Sequence, residues 1–112
     1  MDDSEVFRAL AHPTRRAVLT LLADGEKTVS QLHAGFDISQ PAMSQHLAAL
    51  RAAGLVAERR EGRNAYYRAE PAGMAPLMQF VEQYLEQHVE RYREHWPKQL
   101  TRLKGVLARM DQ

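Results

Sequence analysis

The sequence predicts a mainly α-helical fold with a small β-hairpin, and three observations lead there. Apolar residues recur at helical spacing through most of the chain. The stretch from Leu55 to Ala69 instead alternates about a turn at Glu61-Gly62-Arg63-Asn64. Just before it lies a helix, Ser39 to Ala53, whose outward face is small, uncharged and rich in hydrogen-bonding groups. At 112 residues the chain is expected to form a single domain over 1–112, with a core at 1–69 that includes the hairpin at 55–69, and a helical segment at 71–112.

Val6, Phe7 and Leu10 form an apolar set on a short first helix, and Asp2 and Asp3 suit the positive end of its dipole. His12-Pro13 breaks it. Proline is favoured at the first helical position, so a second helix should start at Pro13, run through Val18, Leu19 and Leu22 to about Ala23, and stop at Asp24-Gly25. Thr28-Val29-Ser30-Gln31 has the form of a capping box and opens a third helix, with Val29, Leu32 and Phe36 as its buried side. After a turn at Gly35 to Ile38, Ser39 caps the fourth helix, and Pro41 is tolerated in its first turn.

Met43, Leu47 and Leu50 fall at i, i+4 and i+7 of the fourth helix, which turns Pro41, Ser44, Gln45 and Ala48 away from the core. An ordinary solvent face would carry Lys and Glu. Short residues, amides and hydroxyls without carboxylates suit a helix lying in the DNA major groove. Gln40, Ser44, Gln45 and His46 are the candidate base readers. The glycine turn at Ala53-Gly54-Leu55 leads into the hairpin, where Ala65, Tyr67 and Ala69 face one side and Tyr66 and Arg68 the other. Two short helices joined by a tight turn, followed by a basic hairpin, make a winged helix-turn-helix. Arg51, Arg59, Arg60, Arg63 and Arg68 are the candidate contacts to the DNA backbone.

From Pro76 onward the pattern is helical again, through Leu77, Val81, Tyr84, Leu85, His88, Val89, Tyr92 and Trp96. Trp96, Leu100, Leu103, Leu107 and Met110 continue it at spacings of 4, 3, 4 and 3, a heptad-like seam. Pro97 should kink this region or split it into two helices. So long a stripe exceeds what a small core covers. The surplus reads as a homodimer interface formed by Phe7 and Leu10, with Val6 beside them, and by Val81, Tyr84, Leu85, Tyr92 and Trp96. The extended C-terminal helices are thus expected to be dimerisation helices.

Net charge is only +1, but its distribution is uneven. Residues 39–68 carry five Arg against Glu58 and Glu61, whereas residues 1–38 carry four basic and six acidic residues. Without cysteine there is no disulfide framework, thiolate metal site or catalytic thiol. Ser44 and His46 are two apart and cannot face each other on a helix, so no catalytic residues and no enzymatic activity are expected. Neither a secretory leader nor a run of about 18 apolar residues is present, so a cytoplasmic protein that does not enter the membrane is expected. His88 and His95 are seven apart on one face, but a transition-metal site needs three or four ligands and only Glu94 and tyrosines lie nearby. No metal or other cofactor is expected. The expected partners are double-stranded DNA and a second copy of the chain. Two alternatives stay open: a winged-helix protein-interaction module, and a metal-responsive repressor using these histidines.

The run Ala9-Leu10-Ala11-His12-Pro13-Thr14-Arg15-Arg16, then Met43-Ser44-Gln45-His46-Leu47, Leu50-Arg51-Ala52-Ala53-Gly54-Leu55-Val56 and Arg59-Arg60-Glu61-Gly62-Arg63, closely resembles the arsenical-resistance-repressor (ArsR) family of bacterial winged-helix regulators. The likeness spans roughly residues 6–69. It implies a homodimer that binds a palindromic promoter operator, represses transcription and is released by an inducer the sequence does not name. It also implies that Ser44, Gln45 and His46 lie in the reading helix and that Arg60 and Arg63 grip the backbone from the wing. Metal-sensing members carry a cysteine motif in the third helix, or paired Asp/His and His/Glu ligands in the C-terminal helix. Here Thr28 to His33 holds no thiol, and His88 and His95 lack the usual spacing and carboxylate partners.

Overall fold

The computed structural model describes residues 4–110. The order is α1 (Ser4–Leu10), α2 (Pro13–Leu22), β1 (Lys27–Thr28), α3 (Val29–His33), α4 (Gln40–Ala52), β2 (Val56–Glu61), β3 (Asn64–Ala69), a 3-10 turn (Pro71–Met74), α5 (Ala75–His95) and α6 (Pro97–Met110). Asp2 and Asp3, expected to suit the α1 dipole, lie outside the described residues. The chain divides into two units, the first ending at Leu77 and the second beginning at Met78. This boundary falls beyond the expected break near residue 70, because Met74 and Leu77 pack against the first unit's core.

The first unit closes around Val18, Leu22, Leu32, Met43, Leu47, Leu50, Leu55, Val56 and Tyr67. Burying each aliphatic side chain contributes about 1.5–3 kcal/mol. Val6, expected at the interface with Phe7 and Leu10, instead belongs to this core at 4% exposure, because Val6 and Ala9 share the inner face of α1. Local chemistry sets the helix limits. The His12 ring accepts from the Thr14 amide and Pro13 opens α2. Thr28 and Gln31 complete the capping box of α3, with the Gln31 side chain accepting from the Thr28 amide at 2.8 Å. Ser39 accepts from the Ala42 amide and starts α4.

α4 ends in a Schellman motif, where the Leu55 amide donates to the Leu50 carbonyl and the Gly54 amide to that of Arg51. Gly54 takes φ +79°, as this stop requires. Gly73 lies so close behind it that a β-carbon there would strike the Gly54 carbonyl.

The sheet has the order β1-β3-β2 and is antiparallel throughout. Glu61 pairs with Asn64 across a two-residue turn, in which Gly62 has φ +61°. Beyond the expected hairpin, a third strand is present. Lys27 and Thr28 pair with Tyr67 and Tyr66 and attach the start of α3 to the wing.

In the second unit Pro97 splits the helices rather than kinking one, since α5 ends at His95 and α6 begins at Pro97. A further break falls at His88, with φ −129° and ψ 17°. Across it the Tyr84 and Tyr92 hydroxyls hydrogen-bond at 2.7 Å. α6 folds back along α5, and Leu85, Val89 and Leu107 line a groove between them. Leu100 is buried, while Trp96 and Met110 at the ends of the seam are 52% and 57% exposed.

Candidate nucleic-acid interface

The proposed reading surface is built on α4. Met43, Leu47 and Leu50 are almost completely buried, at 0%, 1% and 0% exposure, and fix the helix in rotation. Gln40, Ser44 and Gln45 are therefore exposed, as the helical spacing predicts. The turn before α4 is held from α3: the His33 ring Nε2–H donates to the Ile38 carbonyl at 2.6 Å. The capped starts of α3 and α4 and this ring thus fix the angle at which α4 presents its outer face.

His46 behaves differently from the other candidate readers. It is half-buried, its Nδ1 accepts from Arg15 Nε at 3.2 Å, and its ring lies 4.4 Å from that of His12. Burial, with the neighbouring charges of His12 and Arg15, holds its pKa below the ordinary histidine value. This contact draws Arg15 on α2 and His46 on α4 into one cluster.

Most of the candidate backbone-gripping arginines are held by carboxylates. Arg59 donates to both oxygens of Glu26, at 2.7 and 3.1 Å, and to Glu61 at 2.6 Å, with its guanidinium 4.6 Å from the Tyr66 ring centre. Arg51 and Arg60 each donate to Glu58 at 2.8 Å, and Arg68 pairs with Glu70 at 3.0 Å. Arg63, at the turn, has no carboxylate partner among the described residues. The exposed pairs of Arg59 and Arg68 contribute only about 0–1 kcal/mol each, so a phosphate can compete for these two guanidiniums, whereas the Glu58 side chain is only 12% exposed. Arg59 holds the Glu26 carboxyl below its usual range. The Tyr67 hydroxyl, then Arg60, do the same for Glu58, while burial and Glu58 push the Tyr67 phenol up.

Sequence reasoning counted Glu58 and Glu61 beside the arginines but missed that they pair with them, and it did not single out Glu26. Glu26 and Arg59 are far apart along the chain, and the short strand β1 that brings them together gave no periodic signal. The second cluster follows from the register of β2 against β3, which sets Glu58 opposite Tyr67.

The candidate dimerisation residues fall into two groups. Phe7 and Leu10 line an apolar groove with Leu19, Met74 and Leu77 in the first unit. In the second, Val81, Tyr84, Leu85, Tyr92 and Trp96 line another with Phe80 and Leu103. Tyr92 stacks on Trp96 at 5.2 Å, and His88 lies 4.6 Å from Tyr84. Among the described residues no three His, Asp or Glu side chains are grouped to hold a metal ion, and no helix is long and apolar enough to cross a membrane.

Residues 12–58 match the family described as bacterial regulatory protein, arsR family. The chain is 35% identical over 88 residues to an HTH-type transcriptional regulator of Mycobacterium tuberculosis, covering 79% of this chain and 82% of that protein. It is 39% identical over 64 residues to the transcriptional repressor SdpR of Bacillus subtilis, covering 57% of this chain and 71% of the repressor. Several further relatives are spanned over only about half to two thirds of their length. Among solved structures, the homodimeric winged helix-turn-helix DNA-binding domain of a possible regulator from Mycobacterium bovis matches with a TM-score of 0.60 and 35% identity, over 79% of this chain and 82% of that one.

Proposed function

Because the chain belongs to the arsR family of bacterial regulatory proteins, we propose that it is a homodimeric repressor that reads a two-fold operator in double-stranded DNA. It is a DNA-binding transcriptional regulator of the winged helix-turn-helix type. The observation that carries the finer reading is the uncharged, exposed face of α4, flanked by a wing whose Arg63 has no carboxylate partner among the described residues. Gln40, Ser44 and Gln45 read base edges. His46, already engaged by Arg15, borders that set and contributes through its packing. Arg63 meets a phosphate directly, Arg59 and Arg68 exchange carboxylates for phosphates on docking, and Arg51 and Arg60 meet phosphates with the guanidinium donors that Glu58 leaves over. Two copies of α4 then enter successive major grooves about 34 Å apart. The second copy covers Phe7, Leu10, Val81, Tyr84, Leu85, Tyr92 and Trp96. The same reading makes the chain a cytoplasmic regulator without an enzymatic step.

Selection of duplexes from a random pool, followed by binding titrations at several salt concentrations, tests this. The selected sequences should share a palindrome. Gln45→Ala should relax preference at one base pair by about 1–3 kcal/mol. Arg63→Ala should weaken every duplex alike and flatten the logarithmic salt slope by about one. A pool recovered with no common sequence overturns the reading.

A further inference from the structure

Glu58 joins three elements at one carboxylate. Its Oε2 accepts from Arg51 Nη1 at the end of α4, at 2.8 Å, and from the Tyr67 hydroxyl on β3, at 2.7 Å. Its Oε1 accepts from Arg60 Nε on β2, also at 2.8 Å. The Glu58 side chain is only 12% exposed, although the Arg51 and Arg60 side chains are 53% and 72% exposed. Tyr67 belongs to the core, so the cluster is anchored on the inside and carries two guanidiniums outward. An acidic group beside phosphates repels them. What Glu58 provides in return is geometry: one carboxylate accepting three donors ties the last turn of the reading helix to both wing strands.

We propose that Glu58 is a positioning residue that fixes the reading helix relative to the wing, so that losing it costs sequence discrimination rather than general affinity for DNA. The proposal rests on the DNA-binding reading above. Charge and reach can be separated. Aspartate keeps the charge but, one methylene shorter, cannot span all three donors. Glutamine keeps the length but offers one acceptor oxygen and turns an amide donor toward donors already present. A residue acting only through charge would tighten all duplexes alike when made glutamine and change nothing when made aspartate. A residue that merely braces the fold would lower Tm in both variants and leave discrimination unchanged.

The full chain, Glu58→Gln and Glu58→Asp are titrated with the duplex that the wild type selects from a random pool and with a scrambled duplex of equal composition. Tm is recorded in parallel, together with amide exchange across residues 56–69 in the absence of DNA. In both variants the ratio of selected to scrambled affinity should fall about tenfold, within what one aligned base contact supplies. The scrambled duplex should be bound at least as tightly as by the wild type, and exchange at the hairpin should quicken. A ratio within about twofold of wild type in either variant overturns the proposal, since a single base contact is worth more than that. A wild type that selects no sequence overturns the DNA-binding reading instead. The clamp is then decided by exchange alone, and unchanged exchange refutes it.

Discussion

α4 and α5 both carry apolar stripes, and they complete them in opposite ways. α4 buries Met43, Leu47 and Leu50 inside the first unit. α5 carries Val81, Tyr84, Leu85, Val89 and Tyr92, yet has no fully buried residue among those described. A helix whose apolar side is finished within its own chain can devote its outer side to recognition. One whose apolar side is unfinished needs another surface, which is why most of the proposed dimer contacts fall in the second unit, beside Phe7 and Leu10 of the first, and the proposed base reading falls on α4.

The most severe way to break this contrast is to open the finished side. Leu47→Ala leaves a cavity under α4 and should cost about 2–5 kcal/mol in urea unfolding. A loss below about 1 kcal/mol would mean that α4 is less tightly seated than its burial indicates. Next comes the unfinished side. Trp96 is 52% exposed, so Trp96→Ala should change the protomer's own stability little. It should weaken the dimer by about 2 kcal/mol, roughly 30-fold in dissociation constant, in sedimentation equilibrium. A wild type that sediments as a monomer would remove the distinction between the two helices.

The smallest effect belongs to His46, whose folded pKa lies below the ordinary value of 6.5 because of burial and the adjacent His12 and Arg15. The unfolded chain therefore binds the proton more readily. The stability that neutral His46 contributes is complete above its unfolded pKa and is lost as pH falls through that value toward the folded one. Tm measured between about pH 7.5 and 5.5 should decline less in His46→Asn than in the wild type. Equal slopes would mean that the His46 cluster does not respond to protons.

What was legible in the sequence was local or periodic. The Thr28–Gln31 capping box, the Ser39 cap, the Gly54 stop and the stripe of α4 each announce themselves within a few residues, and each is present. What was not legible depended on partners distant in sequence or on irregular backbone. Two residues of β1 are too few to show a strand period. The pairing of Arg59 with Glu26 crosses from the wing to the approach to β1, so neither residue signals the other. The break at His88 has no proline or glycine to announce it. Val6 follows the same spacing rule as Leu10, and only the packing of α1 decides which of them enters the core.

That break makes the tyrosine pair a ruler. In an unbroken helix the α-carbons of Tyr84 and Tyr92 would stand about 12 Å apart along the axis, so their hydroxyls would meet only if both side chains lay along the helix toward each other. Their 2.7 Å contact spans the break at His88, so it is expected to loosen if α5 straightens. Tyr92 also lies against Trp96, the sole indole of the chain, so straightening the helix would change that chromophore's surroundings and its emission would register the change without a label.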